Sequence, residues 1–160
     1  MNSIKQIEVI YNNRLVGRLA LTREGLCAFE YSAEWLSSGF SISPFELPLR
    51  SGVFIAKPRP FEGGFGVFDD CLPDGWGLLI LDRYLQQKGI NPRTLTLLDR
   101  LALVGSTGRG ALEFRPDNSV VTRQDFADFE KLALEAEKIL ASDDYMGEGI
   151  EEFQDRGGSP

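Results

Sequence analysis

Three acids crowd one short run. Asp69, Asp70 and Asp74 surround Cys71-Leu72-Pro73, and carboxylates that close together can hold a cation or move protons. Acids beside Pro and Gly more commonly serve turns and helix caps, so both readings stand at this point. Gly105-Ser106-Thr107-Gly108-Arg109-Gly110 has the spacing of a phosphate cradle. A Walker loop, however, continues with Lys and Ser/Thr and runs from strand to helix. Here Ala111-Leu112 follow and the order is helix then strand, so a structural turn is expected. Phe61–Val67 carries Gly63, Gly64 and Gly66 without a Lys-bearing strand downstream, which suggests a flexible hairpin or loop. Asp125-Phe126-Ala127 falls one residue short of the magnesium-binding D-F-G triplet, and no catalytic-loop pattern precedes it.

Trp76 offers contact rather than catalysis. It opens a helix within Leu72-Pro73-Asp74-Gly75-Trp76-Gly77, and the flanking glycines leave the indole poorly screened by its chain neighbours. A half-buried Trp is the ordinary reading. The functional one is an anchor for a partner's pocket, since Trp is enriched among interface hot spots. Trp76, Asp74 and Leu72 are therefore the candidate partner-binding residues, whereas Trp35 is expected in the core.

Composition removes much of the remaining chemistry. The 160 residues include no His, which excludes imidazole-based nucleophile systems and most zinc sites. Two cysteines without a C-x-x-C suggest neither a disulfide framework nor a zinc knuckle. With 17 basic against 24 acidic residues the net charge is −7, which opposes direct nucleic-acid binding. No apolar run is long enough for a membrane span and no signal-peptide pattern opens the chain, so a cytoplasmic protein is expected.

The elements that must position these residues are legible from periodicity and punctuation. Lys5–Tyr11, Leu15–Thr22 and Leu26–Tyr31 read as strands of a meander, separated by Asn12-Asn13-Arg14 and Arg23-Glu24-Gly25. Ser32–Gly39 is a short helix or turn, and Pro44 and Pro48 keep Phe40–Leu49 extended. Val53–Lys57 and Ala111–Arg115 are further strands. One helix is predicted from Asp74 to about Lys88, closed by Gly89, with Leu78, Leu81, Tyr84 and Leu85 on its inner face. A second runs from Asn91-Pro92 to about Leu103, and a third from about Asp125 to Leu140. Residues 141–160 hold six acids, one Arg and four Gly, a composition with little to bury. The fold class expected is α+β: an antiparallel, partly barrel-like β-meander packed by two or three helices, with a flexible acidic tail.

Several runs together resemble the N-terminal region of the HipA family, the bacterial Ser/Thr toxin kinases of type II toxin–antitoxin systems. They are Val16-Gly17-Arg18-Leu19, Phe29-Glu30-Tyr31 with Trp35, Ser43 to Leu49 ending in Leu47-Pro48-Leu49, Phe68 through Gly77, and Leu101 to Pro116. The L-P-D-G-W-G and G-A-L-x-F-x-P runs are the specific ones. The resemblance implies a HipA-like N-terminal subdomain over residues 1–117, a connector helix over 118–142, and an acidic tail over 143–160. By resemblance, Gly157-Gly158-Ser159 begins the family's Gly-rich loop, with Ser159 at the position of the autophosphorylated serine.

The ATP-binding lysine and catalytic aspartates that phosphoryl transfer requires have no counterpart here, so the chain by itself is expected to be non-catalytic. ATP and magnesium are expected only with a kinase core. The expected role is docking on such a core, in cis or in trans, and helping contact with a HipB-like helix-turn-helix antitoxin in a system tied to persistence. Two alternatives stand beside it. One is a stand-alone HipS-like antitoxin that inhibits a separate kinase, in which Trp76 would be the tryptophan reaching the active site. The other is a small enzyme using Asp69, Asp70 and Asp74 around a metal. The run into the Gly-rich loop favours a shortened kinase over a purpose-built antitoxin.

Overall fold

The structure is a computed structural model describing residues 4–73 and 75–119 together with Lys131, Leu134 and Lys138; residue 76 is described by its helix position alone. The first three strands are β1 (Gln6–Tyr11), β2 (Arg14–Leu21) and β3 (Cys27–Tyr31). The β1–β2 turn works because Asn12 and Asn13 both accept left-handed backbone, with φ of 47° and 60°. That is the type I′ geometry whose twist matches a hairpin. Helix α1 (Ala33–Ser38) follows, its first turn capped by the Ser32 hydroxyl. The edge strand β4 (Val53–Ile55), the short helix α2 (Gly66–Asp69) and helix α3 (Gly75–Gln87) come next. A 3₁₀ turn (Pro92–Thr94), helix α4 (Leu97–Val104) and strand β5 (Leu112–Arg115) complete the order.

The five strands form one antiparallel sheet in the order β4-β3-β2-β1-β5. The α+β class stands, but the sheet stays open: its edges are the three-residue β4 and the four-residue β5, too short to meet and close a barrel. Period-two alternation sends Ile7, Val9, Leu19, Phe29, Phe54 and Phe114 to one face, all buried. On the other face cross-strand partners alternate in charge, Arg115 against Glu8, Glu8 against Arg18 and Arg18 against Glu30. The Arg18–Glu8 approach of 3.7 Å is exposed and stabilises by at most about 1 kcal/mol.

Two expectations change. The helix expected from Asn91 to Leu103 is broken in two, because the Thr96 hydroxyl accepts from the Asp99 amide while the Asp99 carboxylate accepts from the Thr96 amide. This reciprocal capping box starts a new helix at Leu97. Asp99, 3% exposed, also accepts from the Ile4 amide at 2.8 Å and so ties down the start of β1. The Phe40–Leu49 segment is not simply extended either. Its Ser43–Leu47 bridge folds residues 44–46 into a turn. Of the third helix expected near 125–140, Lys131, Leu134 and Lys138 are helical and exposed. The rest, and the acidic tail, lie outside the described residues. Among the described residues no helix is long and apolar enough to cross a membrane.

Gly17 marks the tightest point of the sheet. A Cβ there would collide with the Glu30 carbonyl oxygen and stand 2.7 Å from the Phe29 ring. Gly17→Ala is expected to cost about 1–3 kcal/mol by overpacking. Gly25→Ala, where φ is +80° but the space is open, is expected to cost about 1 kcal/mol through backbone strain alone. Urea unfolding of the two variants checks the order, and a Gly17→Ala protein as stable as wild type would contradict the packing described.

Candidate docking site at the start of the third helix

The run that carries Trp76 is mounted on aromatic packing. The Phe68 ring of α2 is fully buried, with its centroid 5.5 Å from that of Phe29 and 6.3 Å from that of Phe114. Phe65 packs on it edge-to-face at 6.1 Å. From α2 the chain turns through Asp70, Cys71 and Leu72, whose amides donate to the carbonyls of Gly66, Phe68 and Asp69. The Cys71 carbonyl accepts from the Arg109 amide at 3.0 Å, bracing the corner from the other side.

Helix α3 then starts at Gly75, with φ of +41° and open space where a Cβ would stand. Gly77 is required by contact, since a Cβ there would lie 2.9 Å from the Pro73 Cβ. Leu81 and Leu85 bury the inner face, and Leu78 and Tyr84 are half-buried beside it, as the periodicity predicts. The helix ends in a left-handed Gly89, φ +79°, with the Ile90 amide returning to the Leu85 carbonyl. Position 76 stands one turn before Leu79 and two before Arg83, and both of those are exposed.

Beside this corner lies a cavity of about 480 Å³, walled by the Phe61–Gly64 loop, by Asp69, Leu72 and Leu78, and by the segment from Pro92 to Leu97. Arg100 closes its far side. Its guanidinium pairs with Asp82 at 2.5 Å and donates to the Pro92 carbonyl at 3.1 Å. A smaller cavity of about 230 Å³ adjoins it and shares Asp69, Leu72 and Leu78. Burial first, then the neighbouring Asp70 and Glu62, push the Asp69 carboxyl above the usual carboxylate range. The corner therefore sets Glu62, Asp69 and Asp70 around an apolar floor, with Arg93, Arg100 and Arg109 on the same linings.

Of the candidate residues, Leu72 is buried and floors both cavities. Trp76 lies on α3, while Asp74, Gly157, Gly158 and Ser159 lie outside the described residues. Asp69 and Asp70 adjoin, but among the described residues no three His, Cys, Asp or Glu side chains gather to hold a metal ion. Burial, with a further push from Asp70, raises the Cys71 thiol to about 12, so it is a neutral group here, donating to the Val67 carbonyl at 3.3 Å.

The Gly105–Gly110 loop is a structural turn. Four of its amides are spent inside the protein: Gly105 donates to Leu101, Ser106 to the Asp117 carboxylate, Thr107 to Val104 and Arg109 to Cys71. Gly105 itself has φ +50°, and a Cβ would strike the Asp117 carboxylate. Sequence reasoning passed over Asp117, Asp99 and the Arg100–Asp82 pair. Only Asp99 had a local signal, the Thr96-x-x-Asp99 box.

An open five-stranded antiparallel sheet packed with helices defines an α+β domain. The chain belongs to the HipA N-terminal domain family, whose profile matches residues 7–115. Among solved structures it is similar to HipA of the Shewanella oneidensis MR-1 toxin–antitoxin system, solved with HipB and its operator DNA. The two share 21% identity with a TM-score of 0.47, over 72% of this chain and 24% of that one. The chain thus spans about a quarter of that protein's length. No curated protein matches in sequence.

Burial opposes ionisation of Asp117, but hydrogen bonds from Ser119 and Ser106 outweigh it and hold the carboxyl below its usual range. Between the native and unfolded pKa values the unfolded chain binds more protons, so stability rises with pH across that window. The contribution is complete above the ordinary value of about 4 and is lost as pH falls through the lower native one. Asp117→Asn is therefore expected to destabilise near neutral pH and to match wild type in strong acid. Urea titrations of both proteins at about pH 7 and about pH 2.5 check this, and a constant difference at both pH values would refute it.

Proposed function

We propose that this chain is a non-catalytic docking module that packs on a HipA-like kinase core through the start of α3, with Trp76 as the anchor. The observation that carries the reading is the braced corner itself. The turn that follows Phe68 is tied at Cys71 to Arg109 of the Gly105–Gly110 loop, and Gly77 lets α3 begin tightly against Pro73. An anchor mounted on such a corner is pre-organised, which lowers the entropy lost on binding. The floor beside it is apolar, and its lining carries Asp69, Asp70 and Glu62 together with Arg93, Arg109 and an Arg100 already paired with Asp82. The three acids favour a partner surface rich in Lys and Arg, such as a site shaped for nucleotide phosphates.

The matched family describes an N-terminal domain alone, so phosphoryl transfer and its ATP and magnesium are assigned to the partner core. The same face serves whether that core is joined in cis or met in trans, and the assembly rather than this acidic chain would reach DNA, through a HipB-like antitoxin.

The test is binding of the 160-residue chain to the catalytic core of a HipA-like kinase purified without its own N-terminal domain. Trp76→Ala is expected to weaken binding about tenfold or more, with circular dichroism and melting unchanged. Equal affinity of the two proteins, absence of binding by wild type, or ATP hydrolysis by the chain alone would each overturn the reading.

A further inference from the structure

Charged side chains of both signs stand on the lining of the 480 Å³ cavity without pairing. Glu62 and Asp69 come from the Phe61–Gly64 loop and from α2, whereas Arg93 comes from the 3₁₀ turn. Among the described residues none of these three side chains makes a hydrogen bond or an ion pair. Arg100, the other cation on the lining, is already committed to Asp82 and to the Pro92 carbonyl. Burial first, then the like charges of Asp70 and Glu62, hold the Asp69 carboxyl above its usual range. An ammonium group beside it would relieve that repulsion.

The elements that carry these charges are each fixed in place. The Cys27 amide donates to the Gly63 carbonyl at 2.7 Å and ties the loop to β3. The Asn91 side chain accepts from the Arg93 amide at 3.1 Å, and Pro92 is buried, so the turn under Arg93 is set as well. The two walls meet at Gly64, where a Cβ would lie 2.8 Å from the Leu97 Cδ2. The rest of the lining is largely apolar, with Phe61, Leu72, Leu78 and Leu95. Its volume falls within the range of small-molecule sites. Glu62 itself is left-handed, with φ of 48°. That region disfavours a residue with a Cβ, and no contact of the Glu62 side chain within the fold offsets the strain. Strain of this kind collects where ligands are held.

We infer that this cavity binds a small zwitterion with an apolar body, the chemistry of a dipeptide of apolar residues, its ammonium at Glu62 and Asp69 and its carboxylate at Arg93. A ligand charged at one end only would leave the opposite charge on the lining unpaired and less hydrated. In a free amino acid both charged groups share one carbon, whereas the lining carries its charges on separate elements, so the termini must be spaced as a peptide unit spaces them. The site is independent of the docking reading, since it requires neither Trp76 nor a kinase core.

The test is an NMR titration of the isotope-labelled 160-residue chain with the dipeptide leucyl-phenylalanine. Saturable shifts are expected at the Phe61–Gly64 loop and at the 3₁₀ turn. The N-acetyl and C-terminal amide derivatives each lack one charge and are expected to bind about tenfold more weakly. Arg93→Gln is expected to weaken the dipeptide about tenfold and to leave affinity for the amide derivative unchanged, which ties Arg93 to the carboxylate.

Glu62→Gly separates binding from folding. Glycine takes a positive φ freely, so this variant is expected to melt no lower than wild type while binding the dipeptide more weakly. Absence of saturable binding by wild type would overturn the inference. So would equal affinity for the free and capped dipeptides, free leucine binding as tightly as the dipeptide, or wild-type affinity in Arg93→Gln.

Discussion

The ring of Phe68 is the contact on which the rest of the molecule depends. It is fully buried between Phe29 of β3 and Phe114 of β5, so one side chain joins the meander to the strand that returns after three helices. Burial of a side chain this size stabilises by about 1.5–3 kcal/mol, and its position is worth more than that figure. Strands β3 and β5 are separated in the sheet by β2 and β1. Only a group reaching up from the helical layer can touch both. The four-residue α2 has no helical stability of its own, and exists because Phe65 and Phe68 are held there.

Two parts of the surface hang from that short helix. Its first amide takes the Glu46 carboxylate and thereby fixes the turn that displays Phe45. Its last residues lead through Cys71 and Leu72 into the corner where α3 begins. Two surface features far apart in sequence are thus coupled to one aromatic cluster. Local motion at either end therefore disturbs the core.

The sequence was readable where local chemistry decides. Asn12-Asn13 specifies its hairpin turn, alternation specifies the strand faces, and Gly89 closes α3 by a left-handed residue no other side chain adopts so cheaply. Trp35, expected in the core, is 1% exposed and donates its indole N–H to the Phe40 carbonyl at 2.8 Å. The break between Pro92 and Leu97 also had a local signal in Thr96 and Asp99, but apolar periodicity running through it suggested one helix. The open sheet was not legible, since closure depends on edge-strand length and twist rather than on pattern. Nor was the Phe45 turn, because its clamps come from Tyr31 and Gly66, distant in sequence. The 480 Å³ cavity draws on four separate stretches of chain, and no window of sequence contains it.

The glycines show how loops that look like ligand sites in sequence serve the fold. A phosphate cradle needs amides left unpaired and aimed at one point. In the Gly105–Gly110 loop four of them are taken by Leu101, Val104, Cys71 and Asp117, and the Arg109 amide braces the corner at Cys71. The thiols are likewise withdrawn, Cys71 to about 12 and Cys27 to about 11, both by burial. Asp69 stands apart among the described carboxylates: burial first, then Asp70 and Glu62, oppose its ionisation, and it lines both cavities beside α3.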